Sequence, residues 1–394
     1  MGSSTSTLHG GLAPPRLPHL NRIDRWLTQR YGARLADADI QINGTRPWDM
    51  QVRNPRVFRR CLTQGTLGLG DAYVDGWWDA VKLDEFFEHL IRAKLDSRFL
   101  NLPQGFIELL AACCNLQSVK RARQVGEVHY DLNNSFYRAM LGPRMVYTCA
   151  YWAHATSLAA AQENKLELVC RKLDLRPGQR VLDIGCGWGS FAKYAAERYG
   201  VRVVGITISE AQAALARELC QGLPIEIRLQ DYRDVREPFD RIVSLGMFEH
   251  VGRKNYRAYV DHVRARLAPD GLFLLHTIGL NDHGSGIDPW ITKYIFPNSE
   301  IPSLLRVVQA LDRRFVLEDL HNFGADYART LLAWHDNFTA AWPIFSTQMP
   351  SRFFRVWKYY LLLFAGVFRA RRLQLWQLVL SPHGVRDGYR RPVY

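Results

Sequence analysis

Twelve residues, Arg180-Val-Leu-Asp-Ile-Gly-Cys-Gly-Trp-Gly-Ser-Phe191, constrain the fold of this chain more than any other stretch. Val181, Leu182 and Ile184 are the apolar run of a buried strand. Gly185, Gly187 and Gly189 let the backbone turn sharply and approach a ligand with no Cβ in the way, and Ser190 stands where it can cap the following helix. The stretch reads as a cofactor cradle. Its spacing is not the Gly-x-Gly-x-x-Gly dinucleotide fingerprint, fits nucleotide sites in general, and is shared by ligand-free αβ connections.

Beyond this turn the chain alternates strand and helix, which implies an α/β domain with a parallel sheet covered by helices on both faces. Ser190 to Tyr199 reads as a helix closed by Gly200, and Val201–Ile206, Ile225–Leu229, Arg241–Leu245 and Gly271–Leu275 read as further strands. Ligands of such sheets collect at the carboxyl ends of the strands, where Asp183 to Gly189, Thr207 to Ser209, Gln230 to Tyr232, Gly246 to Val251 and His276 to Ile278 form one crevice. Asp183 lies inside its strand, so its carboxylate is expected to accept hydrogen bonds from the glycine loop. Ser209 and Gln212 have capping-box spacing, which competes with a role in ligand contact. Glu249 and His276 are ionisable residues just beyond two buried strands, a pairing that suits acid–base work or anion positioning as well as structural roles.

The 394 residues leave room for two domains, and the formal charge of +13 asks for an acidic partner, a membrane surface or a nucleic acid. Seven cysteines without a Cys-x-x-Cys pair, and no secretory leader, point to reduced thiols in a cytoplasm and to no metal site. No apolar run reaches the roughly 18 residues of a spanning helix, and Tyr359 to Phe368 has core-helix length, so membrane contact would be peripheral. The expected organisation is a flexible tail over 1–20, an arginine-rich N-terminal unit over 21–102, a linker over 103–123 and the catalytic domain over 124–394. In the N-terminal unit Ile23, Trp26, Leu27 and Tyr31 have helical spacing, Gly65 to Trp78 reads as a glycine-punctuated loop leading into an aromatic cluster, and Leu83 to Ile91 reads as an amphipathic helix. An apolar face rimmed by arginine can meet lipid head groups or another protein surface.

Val181-Leu-Asp-Ile-Gly-Cys-Gly-Trp-Gly189 resembles motif I of S-adenosylmethionine methyltransferases. Together with Glu127-Val-His-Tyr-Asp-Leu132, Tyr147-Thr-Cys-Ala-Tyr-Trp152, Gly205-Ile-Thr-Ile-Ser209, Met247-Phe-Glu-His-Val-Gly252, Leu275-His-Thr-Ile-Gly279 and Phe323-Gly-Ala-Asp-Tyr327, in that order, it is similar to the cyclopropane-fatty-acyl-phospholipid synthases. Gly68 to Asp71 and Asp75 to Trp78 also look like that family's N-terminal domain, so the likeness covers nearly the whole chain. The resemblance implies a Rossmann-like class I methyltransferase domain with a mainly parallel seven-stranded sheet and a smaller helix-rich N-terminal domain. It implies a bicarbonate ion held by Cys149, Glu249, His276, Ile278 and Tyr327, with Cys149 and Ile278 offering backbone N–H groups. Contacts to S-adenosylmethionine are implied for Tyr147, Thr148, Asp183, Gly185, Cys186, Gly187, Gly189, Thr207, Gln212, Asp231 and Tyr232. Thr148 replaces the family's usual serine, and Asn134 departs from its usual pattern.

The implied reaction transfers a methylene group to the cis double bond of an unsaturated acyl chain of a membrane phospholipid. Tyr147, Tyr151, Trp152, Phe248 and Tyr294 are candidates to stabilise a carbocation through their π faces. The resemblance further implies a homodimer bound peripherally to the inner face of the cell membrane. Open alternatives are a relative that leaves a methyl or methylene branch, an N-methyltransferase of small molecules, and a catalytically silent membrane-binding protein. Nucleic-acid methylation is also compatible with the charge, but no recognition motif supports it.

Overall fold

The computed structural model describes residues 21–95, 134–281 and 287–393. The expected tail, the linker over 103–123 and the Glu127–Leu132 motif lie outside the described residues. Two compact units meet in sequence between Leu102 and Pro103.

The first unit contains α1 (Arg22–Asp37), β1 (Gln51–Val52), α2 (Val57–Val74), β2 (Trp78–Asp79) and α3 (Leu83–Arg92), with β1 and β2 paired antiparallel. Asn21 caps α1 by accepting from the Asp24 N–H. The apolar residues of α1 divide between two faces: Leu27, Tyr31 and Leu35 are buried, whereas Ile23 is 60% and Trp26 53% exposed, with the Arg30 guanidinium 5.2 Å from the Trp26 ring. Residues 66–74, expected as loop, are instead the second half of α2, which bends at Gly65 with φ 62°. The glycines there serve close packing, since a Cβ on Gly68 would sit 2.3 Å from the Arg60 carbonyl oxygen. Trp78 fills the unit's core against Tyr73 and Phe86 and donates its indole N–H to the Leu69 carbonyl.

Among the described residues, the second unit begins with α4 (Asn134–Leu141) and α5 (Leu158–Lys172). The sheet and its helices come next as β3 (Arg180–Ile184), α6 (Ser190–Tyr199), β4 (Arg202–Thr207), α7 (Glu210–Leu219), β5 (Ile225–Leu229), β6 (Phe239–Leu245), α8 (Tyr256–Arg266) and β7 (Leu267–Leu280). The chain continues through α9 (Pro289–Tyr294), α10 (Leu304–Leu311), β8 (Val316–Asn322), α11 (Ala325–Phe345), α12 (Ser351–Arg369) and β9 (Leu373–Ser381). Seven strands form one sheet in the order β5-β4-β3-β6-β7-β9-β8; β3 to β7 are parallel and β9 is antiparallel to both its neighbours. The apolar runs read as strands thus all lie in the sheet, and two antiparallel strands extend it.

Strand order reverses between β3 and β6, so their carboxyl ends diverge and open a crevice there. Two cores flank the sheet. Leu182, Ile242, Phe248 and Tyr259 belong to one; Val181, Phe191, Val243 and Leu274 belong to the other. Adjacent residues of β3 thus face opposite cores, which explains an uninterrupted apolar strand. Tyr359 to Phe368 lies within α12 and is largely buried.

Candidate active site

The glycine turn after β3 is built from three left-handed residues with three different constraints. Gly185 (φ 84°) could carry no side chain because its Cβ would lie 2.8 Å from the Met247 Cβ. Gly189 (φ 80°) is the N-cap of α6, and its Cβ would meet the Cys220 sulfur at 2.9 Å. Gly187 (φ 55°) has no atom of the described residues beyond its chain neighbours within 4 Å of its Cβ position and borders the open cleft. Ser190 therefore does not cap α6: its hydroxyl donates to the Arg144 carbonyl and ties the turn to the preceding loop. Asn134 accepts from the Trp188 indole N–H at 2.9 Å, so the departing asparagine holds the tip of the same turn.

Ten of the expected cofactor residues line this cleft. They are Tyr147, Thr148, Asp183, Gly185, Cys186, Gly187, Thr207, Gln212, Asp231 and Tyr232. Gly189 does not; its demand for glycine comes from helix packing. Ser209 caps α7 by accepting from the Gln212 N–H at 3.3 Å, while the Gln212 side chain accepts from the Thr207 hydroxyl at 2.8 Å. Only half of the capping box forms, and the Gln212 amide is presented at the cleft. Asp231 is engaged by Arg233 through side chain and backbone, which holds its carboxyl below the usual range despite burial.

Asp183 departs from expectation. It is 1% exposed, yet neither carboxylate oxygen has a hydrogen-bond partner among the described residues. Two of the glycine-loop amides are committed elsewhere, since the N–H groups of Gly185 and Cys186 both donate to the Ile206 carbonyl at 3.0 Å. Burial pushes the Asp183 carboxyl up to about 7 against the opposing pull of Lys165. Lys165, not anticipated from the sequence, is itself buried in the cleft wall, donates to the Thr148 hydroxyl at 3.1 Å, and is lowered to about 8 by burial. Its place was legible only as helix spacing: Lys165, Val169 and Lys172 follow i, i+4, i+7 on the buried stripe of α5. His250 was also missed; it lines the cleft, its Nδ1 has no partner among the described residues, and burial lowers it to about 4.

The expected anion residues sit outside the cleft lining but on the elements around it. β6 and β7 pair with Leu245 opposite His276, and Glu249 lies on a turn after β6. Glu249 Oε1 accepts from the Ile278 N–H at 2.7 Å, so that amide holds the glutamate here. Glu249 Oε2 is buried and unpartnered among the described residues, and burial raises the carboxyl to about 7. His276 is 1% exposed; its Nδ1 lies 3.2 Å from the Gln377 amide nitrogen and its Nε2 has no partner among the described residues. Burial, reinforced by Lys165 and Lys172, pushes the imidazole well below its ordinary value, so it is neutral. Cys149 is fully buried, its thiol donating to the Ala150 carbonyl and raised well above its usual range by burial. The loop after Cys149 is pinned to α11, which carries Tyr327, by Ala150 N–H to Thr330 at 3.2 Å and Trp152 N–H to Asp326 at 2.7 Å. The Tyr327 ring packs on Phe368 at 4.6 Å.

Of the five aromatic candidates only Tyr147 lines the cleft, where its ring stands 5.4 Å from Trp334 and its hydroxyl bonds that of Tyr360. Phe248 is in the core, stacked on Tyr256 at 4.4 Å. Tyr151 packs on Phe323, Trp152 lies under Arg329, and Tyr294 packs on Trp290.

Residues 117–378 match the family described as mycolic acid cyclopropane synthetase. The chain is 52% identical to the cyclopropane-fatty-acyl-phospholipid synthase of Escherichia coli (strain K12) over 90% of this chain and 93% of that protein. The crystal structure of mycolic acid cyclopropane synthase CmaA1 complexed with SAH and CTAB superposes with a TM-score of 0.62 at 32% identity, covering 66% of this chain and 97% of that one. Coclaurine N-methyltransferase bound to N-methylheliamine and SAH shares the fold at 22% identity, with a TM-score of 0.64 over 80% of this chain and 99% of that one.

Proposed function

The chain belongs to the mycolic acid cyclopropane synthetase family, and we propose that Glu249 and His276, supported by Cys149, Ile278 and Tyr327, hold a bicarbonate base for its reaction. It is an S-adenosylmethionine-dependent enzyme on a class I methyltransferase fold that builds cyclopropane rings on unsaturated lipids.

The cofactor cleft suits a large polar ligand. Gly187 leaves its backbone open at the rim, Gln212 offers an amide, and Asp183 waits for a donor. An isolated double bond is a weak nucleophile, so rate comes from holding it in line with the sulfonium methyl group where water is excluded. The sulfonium carbon is already activated and needs no acid. Methyl transfer leaves positive charge on the acyl chain, toward which Tyr147 can present a π face from the cleft wall.

Ring closure requires a proton to leave the new methyl group, and bicarbonate, when bound, supplies the base. The observation that carries this reading is the pair of buried orphan atoms, Glu249 Oε2 and His276 Nε2, a carboxyl on the turn after β6 and a neutral imidazole within the adjoining β7. A carboxyl raised to about 7 is half protonated near neutrality and can donate to an anion without repelling it. Lys165 and Lys172 add positive potential at the imidazole. A second reading makes Glu249 itself the base, favoured by its free oxygen and its raised pKa.

The lipid is read as a phospholipid in a membrane. No helix among the described residues is long and apolar enough to cross one, and the net charge of +13 with exposed Ile23 and Trp26 among arginines suits peripheral contact with an anionic, cytoplasmic leaflet. A homodimer through the N-terminal unit completes the proposal. Purified enzyme, liposomes of a cis-monounsaturated phospholipid and methyl-labelled S-adenosylmethionine test it, with the acyl product identified by mass spectrometry and proton NMR. A ring signal that falls when bicarbonate is removed supports the reading. A ring formed equally well without bicarbonate makes Glu249 the base, and a label in a branch without a ring moves the product to the methyl- or methylene-branched class.

A further inference from the structure

Behind His276 lies a row of buried polar side chains. In the sheet, His276 of β7 is directly opposite Gln377 of β9, and Gln377 is directly opposite His321 of β8. Residues so paired point to the same face of the sheet, here into a layer otherwise filled with apolar side chains. Lys172 reaches this row from the last turn of α5 with its side chain fully buried. Its ammonium lies 2.9 Å from Gln377 Oε1, 3.0 Å from His321 Nδ1 and 3.7 Å from Asp319 Oδ2. Arg391, whose guanidinium donates to both carboxylate oxygens of Asp319, and Tyr389, whose hydroxyl donates to the Lys172 carbonyl at 3.0 Å, close the row from the far side.

Burial lowers Lys172 to about 7 against the pull of Asp319, and with Lys172 charged the row has one arrangement of protons. An ammonium only donates, so the oxygen of the Gln377 amide faces it. The amide nitrogen must then face His276, and an amide NH2 also only donates. Nδ1 of His276 is therefore the lone-pair nitrogen, and the single ring proton of the neutral imidazole is on Nε2. Among the buried atoms of this row, that Nε2 is the one without a partner.

We propose that Lys172 and Gln377 are positioning residues that fix His276 as its Nε2–H tautomer, so that a hydrogen-bond donor rather than a lone pair faces the reaction's anion. That an anion meets His276 belongs to the proposed function; the tautomer relay rests on it for its purpose, not for its geometry. A lone pair at Nε2 would repel an oxyanion at the same position, so one glutamine's orientation decides whether the site attracts or rejects it.

Gln377→Glu is the informative variant. It keeps the shape, pairs its carboxylate with Lys172, and offers only acceptors to His276, which drives the ring proton to Nδ1. Lys172→Met is the second variant; it frees Gln377 to turn over and mixes the two tautomers. Long-range proton–nitrogen NMR of 15N-histidine-labelled full-length protein reads the tautomer, with the His276 signals identified by their loss in His276→Asn. The relay predicts Nε2–H in the native chain, Nδ1–H in Gln377→Glu and a mixture in Lys172→Met. The half-saturating bicarbonate concentration for cyclopropanation should rise by roughly tenfold to a hundredfold in Gln377→Glu, the worth of one hydrogen bond to a charged group, with a smaller change in the rate at saturation. Nδ1–H in the native protein, or a tautomer unchanged in both variants, overturns the relay. The predicted tautomers with an unchanged bicarbonate requirement leave the relay standing and overturn the assignment of the anion to His276.

Discussion

Replacing Gly187 by alanine separates the two reasons a turn can require glycine. At φ 55° an alanine is held in the left-handed region, which costs about 1–2 kcal/mol of folding free energy. No atom of the described residues beyond its chain neighbours lies within 4 Å of the new Cβ, so packing against them adds nothing to that cost. Gly178, with φ 84° and equally open space, lies outside the cleft lining and is the matched control. Both variants should therefore lose about 2–8 °C in Tm. Only Gly187→Ala places a methyl group where the proposed function brings the cofactor to the backbone, and overpacking of that kind costs roughly 1–3 kcal/mol, or about fivefold to 150-fold in Kd. Calorimetric titration with S-adenosylhomocysteine, alongside thermal unfolding of the free proteins, measures both quantities. Unchanged affinity in Gly187→Ala would show that the glycine serves the turn alone, and equal weakening in Gly178→Ala would show that backbone strain, not approach of the ligand, is responsible.

Glu249→Gln should abolish ring formation, by at least roughly 100-fold in kcat, while binding S-adenosylhomocysteine with native affinity because Glu249 lies outside the cleft lining; full activity in the liposome assay would remove Glu249 from the mechanism. Asp183 has a folded pKa of about 7 against 3.8 as its ordinary value, so the folded state holds the extra proton and stability falls as pH rises between those values. Asp183→Asn should accordingly stabilise the ligand-free protein more at pH 8 than at pH 5, by on the order of 2–3 kcal/mol, and a pH-independent gain in chemical denaturation would contradict the raised pKa. Ile23→Ser with Trp26→Ser should leave Tm within about 2 °C, since both side chains are largely exposed, and weaken sedimentation with anionic liposomes by roughly tenfold. Unchanged sedimentation would refute the proposed membrane contact through Ile23 and Trp26.

The parallel half of the sheet was legible because β3, β4, β5, β6 and β7 are compact apolar runs separated by glycine and capping signals, as at Gly200 and Ser209. β8 and β9 were not. Val316–Asn322 carries Glu318, Asp319 and His321 on a half-exposed edge, and Leu373–Ser381 places Gln374 and Gln377 where both faces are buried. Polar residues at such positions make sense only through partners such as Lys172 and Asn322, which are far away in sequence. Residues 66–74 misled for the opposite reason: glycines that signal a loop locally are there to let one half of α2 lie against a carbonyl of the other. In the site, Glu249 and His276 announced themselves as ionisable residues at strand ends. Lys165 and Lys172 did not, because a lysine on a helix is usually solvated and their spacing with Val169 was the one local sign of burial.

The position of β9 also sets an order of events. It lies inside the sheet, between β7 and β8, yet it emerges from the ribosome after every other strand described, and it pairs with residues about a hundred positions earlier, as Phe273 does with Leu380. A nascent chain that has made β3 to β8 can assemble its parallel strands, but β8 has no neighbour to join and His276 no glutamine to face until residues 373–381 arrive. All the described residues that line the cleft, up to Asn298, thus precede β9, yet both flanking cores draw on that strand through Trp376, Leu378 and Val379, so neither side of the sheet is finished before the last strand is made.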